Sequence, residues 1–374
     1  GETGPQLLVG MNASSKTILC VAGDPGGAAA LVPVIQILDA RLPLQLAAYK
    51  QALALWLLNS ENVCDLGDSP SLEDAARFLM RVQPALIVTA TSVNGVDWEC
   101  YLLQAARQLK IPALSILDFW SNYSRRFSLK MPLDSLPQQI CVMDARAVGE
   151  MRAEGFPEEM LLITGQPALD AATEPLPAAQ LLAARNVWPA KDRRLLFVSQ
   201  PLSALYGGPE ECLATLGYNE QSVLSLVESV VTQLVDQGCA LSLKILPHPR
   251  ESAKNFVAAG FAVAKGFSAK VIVQAADIVI GMNSMLLLEA AAAGCVVVSV
   301  QPNLQRPDSL GINQSGVIVP VYHEAQLLPV LTSLLGDSEL YQHQQKLALK
   351  VAGDGKAANR VVGCIERLLA SSVK

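Results

Sequence analysis

The chain has 374 residues, 51% of them hydrophobic and 17% charged, enough to bury two cores of ordinary size and to leave little room for long disorder. Its 28 Lys and Arg against 34 Asp and Glu give a formal net charge of −6. That balance argues against nucleic acid as the main partner, because a phosphate backbone needs a basic field. No run of 18 uninterrupted apolar residues occurs, so no membrane span is expected.

The eight cysteines (Cys20, Cys64, Cys100, Cys141, Cys212, Cys239, Cys295 and Cys364) form no CxxC pair and mostly lie in apolar runs. They read as buried thiols of a reducing compartment. With only three histidines, 248, 323 and 343, a histidine-based metal centre is not expected, and no metal ligands are assigned from the sequence. Residues 1–10 read as a vector-derived leader ahead of a start at Met11. No charged and apolar export signal follows it, so a cytoplasmic location is expected, although a removed signal sequence stays open.

In chain order, residues 17–22 make a short β-type run that closes on Gly23-Asp24-Pro25-Gly26-Gly27, and a helical pattern runs from about 28 to 40. Strand, glycine turn and helix place a ligand site at the carboxyl end of the first strand. The glycines there would allow positive φ and close approach of a ligand. The spacing is not GxGxxG, so no dinucleotide fingerprint is present.

The rhythm continues with strands at 44–49, 85–89 and 112–117 and helices near 71–82 and 96–109, the last reached through a turn containing Asn94 and Gly95. Just past the 112–117 strand, Asp118-Phe119-Trp120-Ser121-Asn122-Tyr123-Ser124-Arg125-Arg126 gathers an acid, aromatics, an amide and two arginines, where α/β folds place chemistry. A strand at 140–143, a helix at 145–154 and the run 161–167 end the first half. Residues 171–192, rich in Ala and Pro, read as a linker between domains at 11–170 and 193–374, and the last helix is a candidate to return to the first domain.

The second half restarts with a strand at 194–199 and a polar loop to Gly217, followed by a helix near 219–237 and a strand at 240–246 that ends in Pro247-His248-Pro249-Arg250-Glu251. A short strand near 261–264 and a helix near 269–275 precede the strand 278–281. Gly281-Met282-Asn283-Ser284 then turns into an Ala/Leu-rich helix stopped by Gly294. A strand at 296–300, a loop at 301–308 and helices near 323–335, 338–350 and 357–371 complete the chain.

Parallel strands would point Ser199-Gln200, His248-Pro249-Arg250 and Asn283-Ser284 the same way. Hydroxyl, imidazole, guanidinium and a helix N-terminus together suit a phosphate or diphosphate. Glu289 adds one carboxylate to an otherwise apolar helix. Read alone, Ser284 is equally an N-cap and Glu289 a surface charge.

These features resemble a GT-B glycosyltransferase over essentially the whole chain from Met11: two βα domains, the glycine turn after the first strand, and Gly281-Met-Asn283-Ser284-(x4)-Glu289-Ala-Ala-Ala-Ala-Gly294. The resemblance implies an α/β fold of two Rossmann-like doubly wound domains facing across a cleft. Glu289 would take ribose hydroxyls, while Asn283, Ser284, Gly281, Ser199, Gln200, Pro249 and Arg250 would line the nucleotide-sugar donor. His248-Pro249 is similar to the HP motif of bacterial sialyltransferases and capsule transferases with CMP- or CDP-linked donors, in which the histidine contacts phosphate and assists its departure.

The first domain would then hold a glycan or small-molecule acceptor through Gly26, Gly27, Asn94, Trp120, Asn122 and Arg125. Asp24 or Asp118 would be the catalytic base, though no Asp/Glu-Asp/Glu-Gly sialyltransferase motif accompanies them. No metal is required on this view. No cofactor is implied, the CMP-, CDP- or UDP-linked sugar being a substrate.

The same superfamily contains UDP-N-acetylglucosamine 2-epimerases, whose hinge Thr164-Gly165-Gln166-Pro167 resembles. Against them, Gly281-Met-Asn-Ser replaces an acidic Asp-Ser-Gly-Gly loop, and a Glu-Ala-Gly-Leu-Arg segment is missing. A two-domain sugar- or nucleotide-binding protein without catalysis is the reading from another class.

Overall fold

A computed structural model describes residues 16–372; Met11 and the leader before it lie outside the described residues. The chain divides into two compact units. The first comprises residues 16–118, 122–166 and 358–372, and the second residues 119–121 and 167–357. No helix among the described residues is long and apolar enough to cross a membrane.

The first unit is built on a seven-stranded parallel sheet: β1 (Ile18–Ala22), β2 (Leu44–Ala48), β3 (Val63–Asp65), β4 (Leu86–Thr89), β5 (Ala113–Ile116), β6 (Gln139–Val142) and β7 (Leu161–Ile163). Their spatial order is β3-β2-β1-β4-β5-β6-β7, with Ile18 level with both Leu44 and Leu86. The strand order therefore reverses beside β1, and loops diverge between β1 and β4 as they do at the ligand crevice of doubly wound sheets. β1 is apolar throughout and all five of its residues are buried, as a strand covered on both faces must be.

The helix Pro25–Asp39 lays Ala28, Leu31, Val34 and Leu38 on this sheet. The C-terminal helix Ala357–Ser372 joins the same core through Val361, Val362, Ile365 and Leu368, so residues distant in sequence complete one hydrophobic cluster.

The second unit has a five-stranded parallel sheet: β8 (Arg193–Val198), β9 (Leu241–Leu246), β10 (Ile278–Gly281), β11 (Val296–Val300) and β12 (Val319–Val321), in the order β12-β11-β10-β8-β9. β8 lies between β9 and β10, which makes the loops leaving these three strands consecutive along one rim. The helix Glu220–Asp236 contributes Val223, Val227, Val231 and Leu234 to the core and begins with a reciprocal capping box of Asn219 and Ser222.

Several local expectations change. The first helix starts at Pro25, because Asp24 is the N-cap and a proline is accommodated at the first helical position. Gly26 and Gly27 are thus helical, and neither is among the positive-φ residues. Space explains them instead: a Cβ on Gly27 would lie 2.5 Å from Ala90 Cβ.

The polar stretch before Gly217 contains two helices, Leu202–Leu205 and Pro209–Leu216, and the run near 261–264 makes only one bridge, Val263 to Ile245. Helices Lys50–Leu57 and Ala253–Ala258 and the three-residue edge strands β3 and β12 were not anticipated.

Ile365 is fully buried in the core of the first unit. Ile365→Ala should therefore cost about 2–5 kcal/mol, read as an earlier urea midpoint for that unit. An unchanged midpoint would mean that the terminal helix is not part of this core.

Candidate functional site

In the second unit the three rim loops are tied to one another. The Gln200 Nε2 donates to Asn283 Oδ1 (3.1 Å), and Asn283 N–H donates back to Gln200 Oε1 (3.1 Å). Ser199 Oγ donates to Glu251 Oε1 (3.0 Å), whose other oxygen accepts His248 N–H (2.8 Å). One amide side chain joins the β8 and β10 loops, and one carboxylate joins the β8 and β9 loops. Glu251, not a candidate from sequence, is therefore the clamp on the histidine loop. Burial lifts its carboxyl above the ordinary value, against the pull of the His248 amide and the Ser199 hydroxyl.

His248 is half-buried, and its Nδ1 accepts the Arg250 N–H (3.1 Å). Burial and, after it, the Arg250 charge lower its pKa. The ring is then neutral at pH 7 with its proton on Nε2, a donor that has no protein partner among the described residues. Pro249 and Arg250 are exposed beside it.

Ser284 occupies the N-cap of the helix Met285–Ala292 with extended backbone (φ −80°, ψ 153°), yet its side chain caps no amide. Its Oγ is buried without a partner among the described residues, which costs on the order of 1–3 kcal/mol unless a ligand or water satisfies it. Gly281 is buried for packing reasons: a Cβ there would lie 2.8 Å from Leu287 Cδ2.

Glu289, half-buried on the same helix, is pushed up to about 7 by burial, with Lys270 pulling it down. Asn283 also donates to Ser309 Oγ (3.0 Å). The loop carrying Ser309 is ordered by Asp308, which accepts from Gln301 (2.8 Å), Asn313 (2.7 Å), Tyr322 (2.7 Å) and the Leu310 amide (2.8 Å).

In the first unit a second polar cluster surrounds the start of the helix Pro25–Asp39. Asp24 is half-exposed. Val93 N–H donates to its Oδ2 and Asn94 Nδ2 to its Oδ1, both at 2.7 Å. Its own N–H and that of Gly23 donate to Ser92 Oγ (2.9 and 3.2 Å), which donates in turn to Glu99 Oε1 (2.8 Å). Ser92 N–H (2.9 Å) and the Tyr49 hydroxyl (2.8 Å) both donate to Glu99 Oε2. Glu99 is 3% exposed, and burial pushes it up to about 7 despite these donors.

Asp118, also buried, accepts from Arg126 Nη1 (2.9 Å) and Thr91 Oγ1 (3.3 Å). Burial raises its pKa, the Arg126 guanidinium opposes that rise, and Asp24 adds to it. A Cβ on Gly26 would fall 2.2 Å from Asp118 Oδ2, so glycine is what lets this carboxylate reach the helix start.

The structure thus gathers Asp24, Asp118, Gly26, Gly27 and Asn94 in one place, and Ser199, Gln200, His248, Asn283 and Ser284 in another. Arg125 is turned away: it pairs with Asp97 (3.1 Å) while its neighbour Arg126 takes Asp118. Asn122 is in the left-handed region (φ 54°) and its carbonyl accepts the Arg126 amide (3.1 Å). Trp120 groups with the second unit and meets Phe119 edge-to-face at 5.9 Å.

Sequence reasoning missed Glu99, Ser92 and Tyr49, and of the two arginines it singled out it took Arg125 as the binding residue where Arg126 meets Asp118. Glu99 was detectable, because it shares the buried face of the helix Trp98–Gln108 with Leu102, Leu103 and Ala106, spaced at i+3, i+4 and i+7. Among the described residues, no group of three or more His, Cys, Asp or Glu side chains is placed to hold a metal ion.

No protein-family model matches the chain, and no curated protein sequence does. Solved structures do. S. aureus MnaA, solved with UDP, is 14% identical with a TM-score of 0.67 and is matched over 95% of this chain and 97% of its own. UDP-GlcNAc 2-epimerase from Neisseria meningitidis, bound to UDP-GlcNAc, is 15% identical with a TM-score of 0.67, over 94% and 100%. A glycotransferase of kitacinnamycin is 15% identical with a TM-score of 0.61, over 95% and 99%. At these identities the likeness concerns the fold. With two parallel Rossmann-like sheets of seven and five strands, this chain has the GT-B architecture.

Proposed function

We propose that the chain is a nucleotide-sugar-dependent enzyme whose second unit holds a uridine diphosphate sugar, and that its reaction is glycosyl transfer. The observation that carries the reading is the hydrogen-bonded set of three rim loops around the unsatisfied Ser284 hydroxyl. The diphosphate accepts from the amides at the start of the helix Met285–Ala292, from His248 Nε2–H and from the exposed Arg250. Glu289 accepts two hydrogen bonds from the ribose diol. Uridine is preferred over cytidine because MnaA was solved with UDP and the Neisseria enzyme with UDP-GlcNAc.

In the first unit Asp24 is the acceptor's base. It is the half-exposed carboxylate, and Val93 and Asn94 hold both of its oxygens in place. Asp118 positions the turn from beneath, paired with Arg126. The acceptor oxygen attacks the anomeric carbon, its proton passes to Asp24, and the UDP leaving group keeps its charge balanced by the helix start and by a neutral histidine acting as hydrogen-bond donor.

Epimerisation is the second reading. It is favoured by the gathering of carboxylates at one turn, where Asp24 raises both Glu99 and Asp118, and by the Neisseria epimerase among the similar structures. Incubation with UDP-GlcNAc alone separates the two. Transfer predicts that the nucleotide sugar stays unisomerised and that UDP accumulates only when an acceptor is added. A UDP-linked isomer formed without acceptor would make the enzyme an epimerase.

Glu289 gives a pH signature. A carboxylate raised to about 7 is protonated below that value, and only the ionised form accepts both ribose hydroxyls. UDP-GlcNAc, whose diphosphate does not titrate here, should bind roughly tenfold more tightly at pH 8 than at pH 6. Glu289→Gln should bind weakly and show no such slope in calorimetric titration. A slope retained in the variant would place the titrating group elsewhere.

A further inference from the structure

At the edge of the first unit, the loop that follows β3 and the helix Leu72–Val82 enclose an open cavity of about 530 Å³. Phe78 and Trp98 line its floor, both more than nine-tenths buried. The Trp98 indole N–H donates to Gly67 O (2.9 Å), which sets the loop against that floor.

The charges around the cavity are mostly matched. Arg77 pairs with Glu73 (2.6 Å) and Asp74 (3.5 Å), and Asp68 with Lys50 (3.6 Å). Two groups are left over. Arg81 stacks over the Phe78 ring at 5.3 Å and has no carboxylate within salt-bridge distance among the described residues. Asp65 uses one oxygen on the Gly67 amide (2.8 Å), and its other oxygen has no partner there.

One guanidinium and one carboxylate oxygen, opposite in charge and both exposed, give no net preference for an anion or a cation. Together they offer a planar donor and an acceptor beside the aromatic side chains that line the cavity. That combination suits a neutral ligand with adjacent hydroxyls, which both donates and accepts. β3 lies two strands from β1, so at the usual strand spacing the cavity is about 10 Å or more from Asp24 along the same rim. That is farther than one hexose ring spans.

We propose that this cavity is a sugar subsite for a neutral oligosaccharide acceptor, binding a unit more than one ring removed from the reacting hydroxyl. The inference rests on the glycosyl-transfer reading and narrows its acceptor to a short glycan chain.

The full chain is titrated by saturation-transfer-difference NMR with maltotriose, cellotriose and chitotriose, with glucose and N-acetylglucosamine, and separately with UDP. At least one trisaccharide should bind tenfold or more tightly than its monosaccharide. Arg81→Ala and Asp65→Ala should each weaken that trisaccharide at least tenfold and leave UDP affinity unchanged. If UDP binds but no trisaccharide does, the subsite is refuted and the nucleotide reading survives. Trisaccharide binding that both variants leave intact also overturns the subsite, because the sugar then sits elsewhere. If UDP itself fails to bind, the transfer reading falls and takes the acceptor subsite with it.

Discussion

Among the described residues every strand pairing in both sheets is parallel, and the chemistry of both units follows from that constraint. A parallel sheet gathers the loops that leave its strands at a single rim, where helix N-termini also begin. The amides of those helix starts have no intrahelical acceptor. Polar side chains collect at that rim, while the strands behind it are mostly apolar. β1 and β11 are buried at every position, and the hydroxyl of Ser299 within β11 is satisfied by the Met282 carbonyl.

The two rims solve the burial of polar groups differently. Around Asp24, a chain of donors from Tyr49 and Ser92 converges on Glu99 and sets the position of the helix start from behind. Asp118 is held beneath the same turn by Arg126, with Gly26 leaving the room it needs. In the second unit, Gln200 and Glu251 bind the loops to each other, and the Asp308 network delivers Ser309 to Asn283. Most polar atoms are satisfied in both places. The Ser284 hydroxyl is an exception, and it lies at the start of the helix Met285–Ala292. Such an unsatisfied group costs stability in the free protein and regains it when something binds.

The alternation of strand and helix, the two-sheet architecture and the rim loops were legible because β-type apolar runs and glycine or proline turns mark them strongly. Shorter features were not. β3 and β12 have three residues each, too few for a period, and β12 includes Pro320, which an edge strand tolerates. Gly207-Gly208-Pro209 read as loop, although proline at a first helical position also signals a start, and the helix Pro209–Leu216 begins there.

The arginine cluster shows a sharper limit. Arg125 and Arg126 are adjacent in a three-residue-per-turn segment, so their side chains diverge, and composition could not say which one meets Asp118. Glu251 was invisible for a related reason. Its role is to hold backbone and side chain of two other loops, and nothing in its local sequence records a partner 52 residues away.

The central claim is that the rim loops of β8, β9 and β10 receive a nucleotide's anionic group. Its most direct test is a crystal structure of the chain with UDP. The account predicts diphosphate oxygens within hydrogen-bond distance of His248 Nε2 and the Ser284 hydroxyl, with the ribose against Glu289. A nucleotide seated instead on the Gly23–Gly27 turn of the first unit would contradict it.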